Sequence, residues 1–263
     1  MKLVSKKNIV VFLMSFLTLS LAGQEKSSKA SNQKMKVSKK RKKFKLPKID
    51  LNNWKVTIPE GKGKGGAVSV EPPEILEYAT NETLKPYMYN DSLKGALTFY
   101  AYPTSATTAN TKYSRTELRE QMVPGDDNVN WTFKQGGTLR AKIAMDEVSR
   151  DENGKYHKVI ILQIHGRLTN EQSDLIGQKD NNAPPVLKIY WQNGKIRVKT
   201  KKLVYPNVNN IGILHEEAWT DDEGFTFEEE VGFRKFEIEV KVSDGKMVVS
   251  LNKTEFAVYD DFN

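Results

Sequence analysis

The sequence predicts an all-β fold, a two-sheet β-sandwich of the jelly-roll type. From Ile49 onward, short segments alternate apolar and polar residues with a period of two, which is the pattern of half-buried strands. Polar turn residues separate these segments, and the pattern shows neither internal repeats nor a regular alternation of strands and helices. Many short strands without βαβ units are typical of a sandwich rather than of a parallel sheet.

Seven segments carry this alternation, and two of the turns that join them are specific. The segments are 97–101, 139–145, 159–165, 187–191, 196–199, 236–242 and 247–251. Asn193-Gly194 and Asp244-Gly245 each predict a tight hairpin, because Asn, Asp and Gly tolerate the positive φ angles that such turns require. Only short helical turns are predicted, for example over 73–78.

One of the predicted strands ends in two polar residues. In a continuous strand, Ile160, Leu162 and Ile164 share one face, and we expect that face in the core. Gln163 and His165 share the other face. An isolated histidine is more often structural than functional. Gln163 and His165 therefore indicate a functional site only if other polar side chains lie opposite them.

The N-terminus predicts export. A basic start precedes an apolar run of 14 residues, 9–22, which is shorter than a typical membrane span. Small residues follow, so we interpret 1–23 as a signal peptide, with an uncleaved anchor as the alternative. Position 24 is Gln and not Cys, which argues against a lipid anchor. We therefore expect a secreted, periplasmic or cell-surface protein.

The positive charge of the chain belongs to its N-terminal part. Residues 1–48 contain 14 Lys and Arg and one acidic residue, whereas 49–263 contain 27 Lys and Arg and 32 Asp and Glu. The segment 24–48 has no apolar periodicity and predicts a disordered basic linker. The domain 49–263 is mildly acidic, so we predict no nucleic-acid binding. The cations of 26–48 can contact an anionic surface electrostatically, or the segment is a solvated spacer.

Several kinds of chemistry are not indicated by the sequence. The chain contains no Cys, which excludes a disulfide scaffold, thiol catalysis and a Cys-based zinc site. No group of His, Asp and Glu has clear metal spacing, and the Gly-rich stretch 61–66 precedes no helix, so we predict neither metal nor cofactor. His157 and His215 are not part of a comparable group of polar residues, and we predict that both lie at the surface. The sequence also lacks the string of paired acidic residues that jelly-roll glycosidases use. A glycoside hydrolase is therefore the weakest of the functions that we consider.

A second polar strand face complements the first. Arg115, Glu117 and Arg119 alternate, so they share one face of a strand. One interpretation is an ion-pair ladder on a solvated face. The other is that Glu117 orients the two guanidinium groups, leaving one to bind a carboxylate bidentately beside Gln163 and His165. The second interpretation predicts an enzyme that acts on an acidic substrate.

Four strings together resemble a known family, the family 7 alginate lyases of the alginate lyase 2 superfamily. SRTELRE at 114–120 and QIH at 163–165 are similar to its first two signature motifs. IDLNNWKVTIP at 49–59 is similar to the start of its domain, and LKIY at 187–190 to a later strand. Each string is modest alone, but their order and spacing are specific, and the resemblance extends from Ile49 to the end of the sequence.

The resemblance implies a jelly roll with a concave substrate groove and β-elimination of a 4-linked uronate polysaccharide, alginate or a related polyanion. It assigns the catalytic roles to Arg115, Gln163 and His165. We place Glu117, Arg119, Lys188 and Tyr190 in substrate binding. Ile164 gives the isoleucine form of the second motif, which the family associates with guluronate-containing blocks. We expect a monomer.

The family's third motif, which resembles YFKxGxYNQ and supplies a catalytic tyrosine, has no counterpart before the sequence ends at Asn263. Tyr259 lies too early and has different neighbours, so we do not assign that role to it. We therefore expect 49–263 to be an alginate-lyase-like domain that lacks its last motif. The alternative function is a non-catalytic or degenerate polyuronate-binding jelly-roll protein.

Deleting 24–48 should leave the domain folded, because that segment has no apolar pattern with which to pack. The deletion removes 11 Lys and Arg and one acidic residue. Any loss of affinity for a polyanion should therefore be electrostatic and should disappear as salt is raised. Binding measured at low and high ionic strength checks this, and a loss that persists at high salt would contradict it.

Overall fold

The computed structural model of the chain describes residues 8–9 and 46–259, and strands dominate this part. The all-β prediction is therefore confirmed. The predicted signal peptide 1–23 and linker 24–48 lie outside the described residues except for Asn8–Ile9 and 46–48, and both stay predictions. Within the described part, no helix has the length and apolar character needed to cross a bilayer.

In the part of the chain that the structure describes, three 3₁₀ turns and one α-helix connect the strands. In chain order the strands are β1 (Asn8–Ile9), β2 (Trp54–Ile58), β3 (Val68–Val70), β4 (Met88–Asp91), β5 (Ala96–Phe99), β6 (Glu117–Glu120), β7 (Gly137–Ile143), β8 (Val159–Arg167), β9 (Asn182–Gln192), β10 (Lys195–Leu203), β11 (Trp219–Asp221), β12 (Phe225–Glu230), β13 (Phe236–Ser243), β14 (Lys246–Leu251) and β15 (Thr254–Tyr259). The 3₁₀ turns are Glu74–Glu77, Gly212–Leu214 and Glu216–Ala218, and the helix α1 is Asn170–Leu175. The turn predicted over 73–78 is confirmed.

Two larger sheets form the main sandwich. One has the strand order β1-β7-β13-β14-β15, and the other has the order β11-β10-β9-β8 with β12 also paired to β10. The alternating apolar residues of β7, β13 and β14 pack against those of β9 and β10 in one buried cluster. Their polar neighbours along each strand therefore face away from the core, as the period-two pattern predicts.

A second, smaller cluster lies around β2. Here β2 is the middle strand of the sheet β3-β2-β6, and its residues are buried on both faces. They pack against the 3₁₀ turn Glu74–Glu77 and the β4–β5 hairpin. Leu139 of β7 touches both clusters and so joins the two halves of the domain.

Both predicted hairpin turns are present. Asn193 and Gly194 have φ angles of 49° and 82°, and Asp244 and Gly245 have 51° and 75°. Positive φ at both central residues gives the turn a twist that matches the flanking strands. These turns fix the registers of β9 with β10 and of β13 with β14.

The expected core position of Ile160 is wrong. The ladder between β8 and β9 shifts between Ile160 and Leu162, so a bulge interrupts the strand. Before the bulge Val159 pairs with buried Trp191, and Ile160 pairs with Tyr190 on the opposite face, where it is 45% exposed. After the bulge Leu162 and Ile164 pack on the core as expected.

Helix α1 is one of the elements that the period-two pattern does not reveal. Thr169 caps it: its hydroxyl accepts a hydrogen bond from the Gln172 amide at 3.1 Å. The Gln172 side chain accepts in return from the Thr169 amide at 2.9 Å. This reciprocal pair is a capping box, and the Thr-x-x-Gln spacing is a signal for it that is present in the sequence.

Trp191→Ala should unfold the domain more readily than any exposed aromatic substitution. The Trp191 side chain is fully buried, and its Nε1 donates to the Gly232 carbonyl at 2.8 Å. Its removal leaves a cavity and an unpaired carbonyl, which together cost about 3–5 kcal/mol. Tyr205→Ala is the control, because Tyr205 is 70% exposed and its loss should change stability by less than about 0.5 kcal/mol. Denaturant unfolding measures both, and equal effects would contradict the sandwich core.

Candidate active site

The carboxylate of Glu117 joins the two polar strand faces that the sequence singles out. Arg115 Nη1 donates to Glu117 Oε1 at 3.1 Å. Gln163 Nε2 donates to the other oxygen, Oε2, also at 3.1 Å. Glu117 lies in β6 and Gln163 in β8, which belong to different sheets. The structure therefore brings Arg115, Glu117 and Gln163 together, although 46 residues separate the last two in sequence.

The hydroxyl groups on both sides of Arg115 bond to the backbone of 100–104 and not to the groups of the site. The Ser114 hydroxyl accepts from the Thr104 amide at 2.9 Å, and the Thr116 hydroxyl donates to the Tyr100 carbonyl at 2.7 Å. The Arg115 side chain is only 23% exposed. Among the described residues, its buried Nε has no hydrogen-bond partner. An unpaired buried donor costs about 1–3 kcal/mol.

His165 is held in the neutral form that can accept a proton. Its Nδ1 lies 2.9 Å from the Gly166 carbonyl, which can only accept, so Nδ1 carries the hydrogen and Nε2 is the basic nitrogen. Burial lowers the pKa of His165 below its ordinary value of 6.5, and the charges of Arg119 and Arg115 lower it further against the opposing effect of Glu117 and the Gly166 carbonyl. A side chain at Gly166 would approach the Pro184 carbonyl to 2.7 Å, so only glycine permits this close approach of β8 and β9.

Arg119 belongs to the same neighbourhood but has different partners. It pairs across the strands with Lys55 of β2, and its charge acts on both His165 and Asp127. Arg115 and Glu117 do form the ion pair of the ladder interpretation. The second oxygen of Glu117, however, reaches another sheet, which a solvated ladder on one strand pair does not explain.

Lys188 and Tyr190 extend the polar face along β9, away from His165. Lys188 is the direct cross-strand partner of Gln163, whereas His165 is opposite Pro185. Tyr190 lies two residues further along the same face, with Lys158 Nζ 5.2 Å from its ring centroid. Burial lowers the pKa of Lys188 and raises that of Tyr190. These two residues therefore border the site without joining its centre.

Sequence reasoning missed the basic residues of β10. Lys199 is directly opposite Lys188, so the two ammonium groups share one face. Lys201 Nζ lies 2.9 Å from Asp221 Oδ1, and Lys199 Nζ donates to the Asp222 carbonyl at 3.1 Å. The alternate lysines of β10 were a signal for this basic face, but the pattern alone does not show which side of the sheet they occupy.

The remaining histidines stay apart from the site. His157 and His215 are exposed, as predicted. Within residues 46–259 and 8–9, no group of three or more His, Cys, Asp or Glu side chains could hold a metal ion.

An arginine, an amide and a neutral imidazole where two sheets of the sandwich meet suit a carboxylate-bearing substrate, and the comparisons with known proteins identify the class as a polysaccharide lyase. The model of the alginate lyase family matches residues 49–262. The chain therefore belongs to the alginate lyase family, and the resemblance seen in the sequence is confirmed.

Solved structures of alginate lyases are similar to this chain. A variant of the family 7 alginate lyase A1-II′ in complex with a product, GGG, is 26% identical with a TM-score of 0.59, and the match covers 82% of this chain and 78% of that one. A double variant of the same enzyme with a substrate, GGMG, is 25% identical with a TM-score of 0.58, covering 80% and 76%. The alginate lyase from Corynebacterium sp. is 20% identical with a TM-score of 0.51, covering 84% and 82%, and supports the fold alone. Among curated protein sequences, none matches this chain significantly.

The acidic limb of the pH profile of kcat/KM should move in opposite directions when the two charges beside His165 are removed. A histidine that takes a proton must be neutral, and the pKa of His165 lies below 6.5, so if His165 is the base, activity should fall only below that pH. Arg119→Gln removes a charge that lowers this pKa, so the limb should move to higher pH. Glu117→Gln removes a charge that raises it, so the limb should move to lower pH.

Lys142→Gln is the control for this measurement. Lys142 pairs with Glu237 on the β7–β13 sheet, and its charge does not act on His165. The acidic limb of the pH profile of the Lys142→Gln variant should coincide with that of the unaltered protein. Shifts in the same direction for the Arg119 and Glu117 variants would show that His165 is not the group that titrates.

Proposed function

We propose that this protein cleaves alginate, a 4-linked uronate polysaccharide, by β-elimination. Its membership of the alginate lyase family and the oligosaccharides bound to the A1-II′ structures support this substrate. The observation that carries the proposal is the Glu117 bridge, which presents Arg115 and Gln163 together beside a neutral His165.

Arg115 and Gln163 lower the barrier by neutralising the substrate carboxylate. The proton at C5 is weakly acidic, because its removal leaves a second negative charge on the carboxylate-bearing carbon. Glu117 occupies one N–H of Arg115 and one of Gln163, so each retains donors for the substrate carboxylate. One such preorganised donor is worth roughly 3–4 kcal/mol of transition-state stabilisation.

His165 takes the proton. Nε2 accepts the C5 hydrogen, the released electron pair forms the C4–C5 double bond, and the bond from C4 to the departing oxygen breaks. That oxygen takes a proton from a solvent water as it leaves, and the hydroxide left behind is neutralised when His165 releases the C5 proton. Tyr190 is an unsuitable donor for this proton, because it lies opposite Ile160 while His165 lies opposite Pro185, at the other end of the same ladder. We assign Tyr190 and Lys188 to binding a neighbouring sugar.

We further propose a preference for guluronate-containing blocks and export of the protein as a monomer. The guluronate preference rests on the resemblance through Ile164, which packs against the core and so acts through the shape of β8. Initial rates on guluronate and mannuronate blocks test it. Export rests on the N-terminal segment, and cell fractionation tests it. The basic segment 26–48 then adds a salt-sensitive contact with anionic surfaces.

Arg115→Lys should be nearly as harmful as Arg115→Ala. A lysine supplies a point charge but neither the fork that binds a carboxylate nor the geometry that Glu117 holds, so kcat should fall on the order of a hundredfold in both. The measurement is the ultraviolet absorbance of the new C4–C5 double bond.

Thr116→Val is the matched control. The Thr116 hydroxyl donates to the Tyr100 carbonyl and points away from the site. The variant should therefore lose about 1 kcal/mol of stability and little turnover. Equally small effects at positions 115 and 116 would mean that Arg115 does not touch the substrate. Binding of alginate without any unsaturated product would favour the non-catalytic alternative.

A further inference from the structure

Two cations face each other beside the active site. Lys55 of β2 and Arg119 of β6 are direct cross-strand partners, so their side chains lie next to each other on one face. The Lys55 side chain is only 11% exposed. Like charges directly opposite each other destabilise a strand pair, and more strongly when water is excluded. The pair needs a fixed anion.

Asp127, in the loop between β6 and β7, is the nearer of two anions at this pair, since Glu71 Oε1 lies 3.6 Å from Lys55 Nζ. Asp127 Oδ2 lies 2.5 Å from Lys55 Nζ, and its Oδ1 accepts from Gln121 Nε2 at 3.1 Å. Gln121 is almost completely buried and also donates to Glu71 at 3.1 Å. Burial alone would raise the pKa of Asp127, but these hydrogen bonds and the charges of Lys55 and Arg119 lower it overall. Asp127 is therefore ionised and held in place.

The next residue of the same loop reaches the other half of the site. Asn128 Oδ1 accepts from Arg167 Nε at 3.2 Å and from Arg167 Nη2 at 2.7 Å. Arg167 is in β8, two residues beyond His165. Asp127 and Asn128 thus connect β2, the strand paired with β6, and the residue just after β6 to β8, which carries His165.

This connection matters because the site lies where two sheets meet. β6 pairs with β2, and β8 pairs with β9, with no ladder between β6 and β8 in the described part of the chain. The Arg115 and Arg119 side is therefore positioned against the Gln163 and His165 side by side-chain contacts alone. Errors of about 1 Å between reacting groups can cost a hundredfold in rate.

We propose that Asp127 is a positioning residue of the lyase, which acts through Arg119. It neutralises the Lys55–Arg119 pair and so keeps the Arg119 guanidinium in place beside His165, while Asn128 holds the same loop to β8. This inference rests on the proposed function, since its effect is on the placement of groups that act on the uronate.

A double-mutant cycle between Asp127 and Arg119 tests the proposal in the full chain. Asp127→Asn keeps the shape and removes the charge, and kcat should fall about tenfold or more with a smaller change in KM. In the Arg119→Gln background the same substitution should change kcat less than about twofold, because the cationic pair no longer exists. Equal factors in both backgrounds, or an unchanged kcat in the single variant, would overturn the proposal.

Two further variants separate positioning from folding. Lys55→Met combined with Asp127→Asn removes the lysine that Asp127→Asn leaves with only its longer ion pair, to Glu71 Oε1 at 3.6 Å. Thermal stability should therefore return, while the dependence on Arg119 can still be measured. Glu239→Gln is the matched control: it removes an acid from the cross-strand pair with Arg140, on the sheet that does not carry the site, and turnover should be unchanged.

The cycle is measured on affinity for an oligouronate as well as on turnover. If the unaltered protein forms no unsaturated product, the proposed function fails, and the affinity cycle still decides whether Asp127 acts through Arg119. A loss of affinity in Asp127→Asn that disappears with Arg119→Gln supports the positioning role. The same loss in both backgrounds refutes it.

Discussion

The two oxygens of Glu117 hold the site together. One binds Arg115 and the other Gln163, so a single carboxylate sets the distance between groups from different sheets. Its charge also opposes the two arginines that lower the pKa of His165. Orientation of the donors and protonation of the base therefore depend on the same side chain. A site arranged this way needs no reorganisation when negative charge develops on the substrate, which is the main advantage of a preorganised polar environment.

Local signals in the sequence were sufficient for the central strands of the two larger sheets. The alternation in 236–242 and 247–251 and the Asp244-Gly245 turn lie within one hairpin, so pattern and turn chemistry act on the same residues. The capping box at Thr169 is equally local and could have predicted α1. Ile160 could not be placed by the same reasoning. A bulge inserts one residue into one strand only, and this reverses which face every preceding residue occupies, without any change in composition.

The candidate site was predictable as a set of residues but not as a geometry. Alternation places Arg115, Glu117 and Arg119 on one face, and that much follows from a strand. The choice between a solvated ladder and a binding site depends on where the second oxygen of Glu117 points. That depends on how the β3-β2-β6 sheet meets the sheet of β8, a contact between segments far apart in sequence. The roles of Lys55 and Asp127 were hidden for the same reason.

The two cationic pairs of the domain differ in what neutralises them. Lys55 and Arg119 have Asp127, whose side chain is 32% exposed and is also held by buried Gln121, with Glu71 as a more distant second anion. Lys188 and Lys199 have the nearby charge of Asp221, which is paired with Lys201 and 42% exposed. A partly buried, multiply bonded anion keeps its partners in one arrangement, whereas solvent weakens the attraction of an exposed one. The first pair is thus suited to fixing geometry, and the second leaves positive charge on the sheet face that an anionic chain can neutralise.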